Sequence, residues 1–182
     1  MKRENLQRLL APRHLAFIGG RSMARALKRC AEGGFAGAMW LVNPQYDELE
    51  GVPCVRSIAE LPEGPDAVFV ATNRDLTVQA VAELAARDAG GAICYASGFA
   101  ETGEEGEALQ RRLLASAGDM ALLGPNCYGL LDYLHGAALW PVAHGGHLVE
   151  KGVAVLTQSG NFAYNLSMSD RSLPIAYMAS VG

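Results

Sequence analysis

Glycine and polar residues that could bind an anionic ligand stand directly after the first apolar run of the chain. This group follows residues 14–18 and comprises Gly19, Gly20, Arg21 and Ser22. Glycines there let the backbone approach a phosphate, and the N–H groups that open the following helix point towards it. The dinucleotide fingerprint Gly-x-Gly-x-x-Gly is matched poorly, because its second glycine falls on Arg21. A tight turn between a strand and a helix explains the same residues equally well.

The end of the second apolar run bears on which nucleotide could bind. A domain that binds NAD usually carries Asp or Glu at this point, to hold the ribose hydroxyls. This chain has Asn43 and Pro44, and its first carboxylate, Asp47, comes three residues later. The pattern therefore argues against a nicotinamide dinucleotide and favours a different adenine nucleotide.

Polar residues also follow the third, fourth and fifth apolar runs. Because ligands of an open parallel sheet bind at the carboxyl ends of its strands, these residues should share one ligand-binding edge. Turn chemistry accounts for part of the pattern, since strand ends favour such residues whatever the function. The residues are Thr72, Asn73, Ser97, Gly98, Phe99, Asn126 and Cys127.

Alternation of short β-rich runs with helical patterns predicts an α/β fold with a doubly wound parallel sheet. In the predicted helix after residue 71, Leu76 and Val78 should face inward, and in the predicted helix at 104–117 Leu109 and Leu114 should do so. Residues 45–65 are interpreted as a loop with one short helical turn near 57–61. The predicted strands cover residues 14–19, 38–42, 66–71, 91–96 and 120–124, and helices cover 22–32, a segment after 71, and 104–117.

The pattern of residues 148–182 indicates a second structural unit. Residues 1–132 form the first domain in this interpretation, and 133–147, rich in Gly, His and Pro, form a connection. Residues 148–182 hold a strand at 152–157, a helix at 161–171 and a strand at 174–180. Two strands and one helix cannot cover both faces of a sheet, so this unit looks like the truncated beginning of a second α/β domain.

Composition excludes several classes of protein. With 182 residues, 50% hydrophobic and 19% charged, the chain is neither disordered nor a coiled coil. The net charge of −4 provides no overall positive field for nucleic acid. No apolar run reaches the roughly 20 residues of a membrane span. Four cysteines without a Cys-x-x-Cys pair fit a reducing, cytoplasmic setting.

No residue is a strong candidate for catalysis or metal binding. His144 and His147, with His135 nearby, lack a Cys or carboxylate at ligand spacing, so we interpret them as solvated loop residues. His14 is interpreted as structural. Cys127 has no basic partner in the sequence, and burial would make its thiol inert. Glu104 and Glu105 fit the first turn of a helix, where acidic residues are favoured, better than an acid–base pair with Glu101. The sequence therefore predicts neither a catalytic residue nor a metal site.

Four segments together resemble the NDP-forming acyl-CoA synthetases, relatives of the succinyl-CoA synthetase α subunit. The segments are 42–44, 97–101, 124–129 and 157–160, and the resemblance extends over nearly the whole chain. It implies a Rossmann-like CoA-binding domain, followed by a flavodoxin-like domain that carries a phosphohistidine. Residues 148–182 would be the beginning of that second domain. An ATP-grasp domain or subunit would lie elsewhere.

The resemblance also implies roles for individual residues. The CoA phosphates would face Gly19, Gly20, Arg21 and Ser22, and the adenosine end would lie near Asn43 and Pro44. Thr72 and Asn73 would line the slot. The pantetheine arm would follow Ser97, Gly98 and Phe99, with the thiol near Asn126 and Cys127. Ser159 and Gly160 would open a helix whose N-terminus faces the phosphohistidine, where the helix dipole favours a phosphate.

The activity implied for the full enzyme is the conversion of an acid, CoA and a nucleoside triphosphate to acyl-CoA, nucleoside diphosphate and phosphate. The route is an acyl phosphate and a phosphohistidine, with ATP or GTP and Mg bound by the parts outside this sequence. No histidine here has the His-Thr-Gly context of the family's phosphohistidine, so this chain would bind CoA without completing the reaction.

Two alternatives stay open. One is an inactive CoA-sensing module, like the synthetase-like regions attached to some protein acetyltransferases; the less favoured one is an NAD-binding domain. The expected partners are CoA or acyl-CoA and an ATP-grasp part, without nucleic acid or membrane. A homo-oligomer is compatible with the sequence.

Overall fold

The computed structural model describes residues 1–169 and 173–182, and within these the chain forms two β-sheets with flanking helices. No helix in the described ranges is long and apolar enough to cross a bilayer. The helices are α1 (Arg3–Leu10), α2 (Arg21–Glu32), α3 (Arg74–Ala86), α4 (Glu104–Ala117) and α5 (Gly160–Ser167). The strands are β1 (His14–Ile18), β2 (Ala38–Val42), β3 (Glu48–Leu49), β4 (Val52–Val55), β5 (Ala67–Val70), β6 (Gly91–Cys94), β7 (Ala121–Leu123), β8 (Gly129–Asp132), β9 (Ala137–Leu139), β10 (Val153–Thr157) and β11 (Ile175–Ser180).

The first sheet has the strand order β3-β4-β2-β1-β5-β6-β7, and its neighbours are parallel except for the β3–β4 hairpin. Residues of β1 alternate between two cores: Leu15 and Phe17 pack with α2, whereas Ala16 and Ile18 pack with α3 and α4. Helices on both faces explain why β1, β5 and β6 are apolar along nearly their whole length. The predicted α/β class with a mostly parallel, doubly wound sheet is confirmed.

Several details differ from the sequence-based expectation. The chain begins with α1, which was not predicted, and the segment expected to be a loop contains the β3–β4 hairpin. Leu76 and Leu114 were expected to face inward, but they are 48% and 55% exposed. In α3 the inner face instead begins with Thr77, whose hydroxyl lies 3.0 Å from that of Thr72 and 2.9 Å from the Asn73 carbonyl. A satisfied buried hydroxyl thus occupies a place that the apolar pattern assigned to leucine.

The second sheet has the strand order β10-β11-β8-β9. The neighbouring strands β10 and β11 are parallel, whereas β8 pairs antiparallel with both β11 and β9. The sequence analysis placed β8 in the first unit and β9 in the connection; the structure places both in the second sheet. A turn closed by Asp132, whose carboxylate accepts from the Leu134 and His135 N–H groups at 2.8 and 3.1 Å, joins them. β11 therefore has a partner on each side, while β10 is an edge strand with Leu156 76% exposed.

Helix α2 lies between the two sheets and packs against both. On the side of the second sheet, the Cys30 thiol donates to the Gly136 carbonyl at 3.4 Å and accepts from the Ala138 N–H at 3.3 Å. At Gly129, φ is +114°, and an added Cβ would collide with the Leu139 carbonyl oxygen and lie 3.0 Å from the Phe69 ring, so only glycine fits where β8 meets β9 and the first sheet. The two sheets consequently share one hydrophobic core.

A buried carboxylate fixes α1 to the first sheet. Asp66, which is 1% exposed, accepts from the Arg8 Nε at 2.7 Å and from the backbone N–H and Nε of Arg13 at 2.9 and 3.2 Å. Burial on its own would raise the pKa of Asp66, but the bonds from Arg8 and Arg13 outweigh it and lower the pKa. The ion pair therefore stabilises the folded state.

We predict that Asp66→Asn lowers the free energy of unfolding by about 2–3 kcal/mol at neutral pH, because it leaves the Arg8 charge without its buried partner. The matched control is Asp88→Asn. Asp88 is another partner of Arg8 at 3.8 Å, but its side chain is 95% exposed, so its loss should cost at most about 1 kcal/mol. Urea unfolding of the three proteins measures both effects.

The same carboxylate sets an acid dependence. Because folding lowers the pKa of Asp66, its contribution is complete above the unfolded value of about 3.9 and is lost as the pH falls through the folded value. The difference in the free energy of unfolding between the parent and Asp66→Asn should therefore be constant between about pH 5 and 7, because the Asp66 carboxyl is ionised there in both the folded and the unfolded state. It should shrink below about pH 4. A gap that grows on acidification would contradict this assignment.

Candidate functional site

A cleft of about 840 Å³ opens between the carboxyl edge of the first sheet and the N-terminus of α5. It lies where the strand order reverses, between β1 and β5, with α2 and α3 leaving on opposite faces of the sheet. Open α/β sheets bind ligands at this switch point. The lining residues are Ser22, Ala71, Thr72, Asn73, Arg74, Tyr95, Ala96, Ser97, Asn126, Cys127, Tyr128, Gln158, Ser159, Gly160 and Asn161.

One wall is built at the start of α3. Asn73 is the N-cap, and its side-chain oxygen accepts from the Leu76 N–H at 2.9 Å. Thr72 and Asn73 therefore lie on the cleft as predicted, but the Asn73 side-chain oxygen is committed to the helix. Arg74, the first residue of α3, also lines the cleft, and the sequence analysis did not single it out.

The loop after β6 places Ser97 on the wall and keeps Phe99 away from it. The Glu101 carboxylate accepts from the N–H groups of Gly98 and Phe99 at 2.7 and 3.1 Å, which closes the loop. The Phe99 ring is fully buried among α3 and α4 residues. Phe99 thus anchors the loop, and its ring cannot contact a ligand in the cleft. Glu101, considered above only as an acid–base candidate, holds the backbone in place.

Asn126 and Cys127 form the floor of the cleft. Asn126 adopts a positive φ of 58°, and its N–H donates to the Ala96 carbonyl at 2.9 Å. Cys127 is 2% exposed, and burial raises the pKa of its thiol to about 12. The neighbouring Cys94 thiol is buried as well, with its pKa raised to about 12. At neutral pH the Cys127 thiol is therefore protonated and unreactive.

The opposite wall is the start of α5. The Ser159 hydroxyl accepts from the Phe162 N–H at 3.2 Å and caps the helix. Ser159, Gly160 and Asn161 at this helix start line the cleft. Gly160 contacts the ring of Tyr128, and any side chain at this position would collide with that ring. Tyr128 therefore joins the floor of the first sheet to the wall formed by α5.

Aromatic rings continue from the cleft into the shared core. Tyr128 lies 5.3 Å from the ring of Trp140, which is buried, and 6.2 Å edge-to-face from Tyr95. Tyr95 is 39% exposed at the cleft, and burial together with Tyr128 raises the pKa of its hydroxyl. The cleft thus offers aromatic surface beside the thiol of Cys127, a feature that the sequence analysis missed.

The glycine turn adjoins this cleft only through Ser22. Gly19, Gly20 and Arg21 precede it and are not among the wall residues. The helix α2 begins at Arg21 with Gly20 as N-cap, and no side chain caps it. Arg21 lies 4.0 Å from the carboxylate of Glu50.

Asn43 and Pro44 also lie outside the cleft walls. Asn43 is 8% exposed; its amide donates to the Gly19 carbonyl at 2.9 Å, and its oxygen accepts from the Gln45 N–H at 2.8 Å. Asn43 follows β2 and Gly19 follows the paired strand β1. The bond between them therefore fixes the shape of the glycine turn. Pro44 is exposed.

Charge in the cleft comes from one side chain and from helix ends. Among the described wall residues, Arg74 alone carries a full charge. The starts of α2, α3 and α5 contribute Ser22, Arg74 and Gly160 to the walls, and helix N-termini carry partial positive charge. This arrangement suits an elongated ligand with an anionic group.

The histidine-rich segment lies away from the cleft; His135 and His147 are exposed, as expected for solvated loop residues, whereas His144 is not. The His144 ring is half-buried, 3.2 Å from the Tyr133 hydroxyl, and burial lowers its pKa. His135 bonds to the Asp132 carboxylate at 2.7 Å. Within residues 1–169 and 173–182, no group of three or more His, Cys, Asp or Glu side chains could hold a metal ion.

Comparison with known proteins identifies the domain. A family model described as a CoA binding domain matches residues 18–132. A trans-feruloyl-CoA synthase of an unknown prokaryotic organism is 35% identical over 98% of this chain, which covers 27% of that protein. The ADP-forming acetate–CoA ligase I of Archaeoglobus fulgidus is 34% identical over 86% of this chain and 23% of its own length.

A solved structure has the same fold. The apo acetyl-coenzyme A synthetase 1 of Ca. Korarchaeum cryptofilum superposes with a TM-score of 0.85 at 25% identity, over 97% of this chain and 40% of that one. The chain spans about a quarter of the length of the two curated relatives. It belongs to the family of CoA-binding domains of ADP-forming acyl-CoA synthetases.

Proposed function

We propose that the cleft binds CoA or acyl-CoA as the CoA-binding part of an acyl-CoA synthetase. The observation that carries this proposal is the meeting of three helix N-termini with Thr72, Ser97 and Asn126 at the switch point of the sheet. Backbone N–H groups at these helix starts can hold phosphate oxygens. Small side chains along the wall suit the narrow pantetheine arm.

The phosphate end of CoA is proposed to lie at the start of α2. Gly20 has open space around it, because an added Cβ would meet no atom within 4 Å. Ser22 lies on the cleft wall beside it. The adenosine would extend towards Pro44, while Asn43 acts through the shape of the glycine turn. Arg21 lies 4.0 Å from Glu50, so its contact with a phosphate would compete with that carboxylate.

The thiol end is proposed to lie over the floor of the cleft. The pantetheine arm would pass Ser97 and Gly98, with Thr72 and Asn73 on the facing side, and reach Asn126. Phe99 supports this path only by anchoring the loop. Cys127 packs beneath the thiol without reacting with it, since its own pKa is raised to about 12.

In a full-length enzyme this domain would present the CoA thiol for acyl transfer. The acid, CoA and a nucleoside triphosphate would give acyl-CoA, nucleoside diphosphate and phosphate through an acyl phosphate and a phosphohistidine. The helix start at Ser159 and Gly160 would face the phosphohistidine. ATP or GTP with Mg would bind to an ATP-grasp domain or subunit.

The acyl group is proposed to be aromatic. The exposed ring of Tyr95 and the half-buried ring of Tyr128 form an edge-to-face pair next to Cys127, where the acyl end of the thioester would emerge. Aromatic rings favour such a pair by about 0.5–1.5 kcal/mol beyond their buried area. The relative named as a trans-feruloyl-CoA synthase is consistent with an acid of this class.

We predict that CoA binds to the parent chain better than NAD does and that Gly20→Asp weakens CoA binding about tenfold or more, because each tenfold equals about 1.4 kcal/mol. The new carboxylate would repel the diphosphate. Gly20→Asn is the matched control, with the same size and no charge, and should lose less. Asp and Asn are both good N-caps, so neither variant should unfold α2. Calorimetry that gives equal CoA affinity for parent and Gly20→Asp would reject this position for the diphosphate.

A second prediction concerns the acyl group. Feruloyl-CoA should bind more tightly than acetyl-CoA, and Tyr95→Leu should reduce that preference by about 3–10-fold, the equivalent of one aromatic pair. Affinity for CoA itself should change little. Tyr46→Leu serves as the control, because Tyr46 is 47% exposed and lies outside the cleft walls. Equal affinity of the parent for both thioesters would rule out the aromatic site and leave CoA binding intact.

A further inference from the structure

Arg74 lines the cleft in a conformation that leaves part of its guanidinium able to bind a ligand. Its Nη1 donates to the Gly98 carbonyl at 3.0 Å, and its Nη2 donates to the Glu105 carboxylate at 2.7 Å. The side chain of Arg74 is 34% exposed, whereas that of Glu105 is 84% exposed. The Arg74 Nε lies 4.0 Å from the Asp75 carboxylate, beyond hydrogen-bond distance, so N–H donors of the guanidinium are available for further acceptors.

The two bonds differ in what they do. Gly98 has a φ of +94°, and a Cβ added there would lie 3.0 Å from the Arg74 Cδ. The Gly98 backbone therefore gives the arginine room and fixes its stem against the loop. The bond to Glu105 lies in solvent, where an ion pair contributes at most about 1 kcal/mol. An anionic ligand can replace Glu105 at small cost.

Position favours a diphosphate as that ligand. Arg74 opens α3 and Ser22 lies in α2, and these helices follow the neighbouring strands β5 and β1 on opposite faces of the sheet. Both residues line the same cleft, so a group bound at the switch point meets the two helix starts and the guanidinium together. Arg21 and Arg25 pair with Glu50 and are not wall residues.

We propose that Arg74 binds the diphosphate of CoA and that Glu105 holds the arginine until the ligand displaces it. This rests on the proposed function, since it assigns the cation that the CoA phosphates meet. Glu105 then acts as a competitor of the ligand, so removing its charge should strengthen binding. A merely structural pair would give the opposite result or none.

The test compares CoA affinity, by calorimetry, in the parent, Arg74→Met, Glu105→Gln and Glu104→Gln. Arg74→Met should weaken binding about tenfold or more, because charge-assisted bonds to phosphate are lost. Glu105→Gln should tighten it about 2–5-fold, the range of an exposed ion pair. Glu104→Gln makes the same change of net charge in the same helical turn without the contact, and should leave affinity unchanged.

Dephospho-CoA separates the diphosphate from the 3′-phosphate. The loss caused by Arg74→Met should be as large with dephospho-CoA as with CoA; its disappearance would assign Arg74 to the 3′-phosphate and overturn the proposal. Unchanged CoA affinity in Arg74→Met, or equal effects of Glu105→Gln and Glu104→Gln, would also overturn it while CoA binding to the parent stands. Tighter binding by Glu105→Gln cannot arise from misfolding. A parent that does not bind CoA would reject both this proposal and the proposed function.

Discussion

The packing of α2 between the two sheets is the constraint on which the cleft depends. Its inner residues, including Met23 and Leu27, are buried in a core that also contains Leu139 and Trp140 of the second sheet. Hydrogen bonds of Cys30 with Gly136 and Ala138 fix the register of this contact. Because β8 and β11 are joined by a ladder, the position of α2 also sets that of the second sheet. The two walls of the cleft are thereby held by one core.

Backbone geometry, rather than an excess of charged side chains, makes the cleft suited to an anion. The chain as a whole is acidic, with a net charge of −4. Local positive potential comes from helix starts, where unpaired N–H groups point to the ligand, and from Arg74. The Glu105 carboxylate faces Arg74 and would compete with an anionic ligand for it. Outside the cleft walls, the Glu50 carboxylate faces Arg21 in the same way. The positive potential of the cleft therefore depends on the positions at which strands end and helices begin.

Much of this arrangement could be predicted from strand ends. Thr72, Asn73, Ser97, Asn126 and Cys127 all reach the cleft, because parallel strands bring their carboxyl ends to one edge. The sequence did not predict that the side chains of Asn43 and Phe99 are buried, because tertiary contacts bury them. Asn43 donates to the Gly19 carbonyl, and Phe99 packs against α3 and α4. Motif position alone does not tell a ligand contact from a residue that shapes the loop.

Other features needed the three-dimensional structure. The strands β8 and β9 are too short to give a clear period. The pairing of β8 with β11 joins residues as far apart in the sequence as Gly129 and Ser180. Arg74 follows the predicted pair Thr72–Asn73 directly, so its place after a strand was a usable clue. Tyr95 and Tyr128 gave none, because only the packing of the two sheets brings their rings together.

A CoA molecule bound in the cleft would contact both of its walls. Amide hydrogen exchange with and without CoA tests this contact most directly. We expect CoA to slow exchange at the starts of α2, α3 and α5, because the bound ligand would contact N–H groups of α2 and α3 and cover the facing wall at α5. Slowed exchange in α2 and α3 with no change in α5, or no change in any of the three, would contradict it.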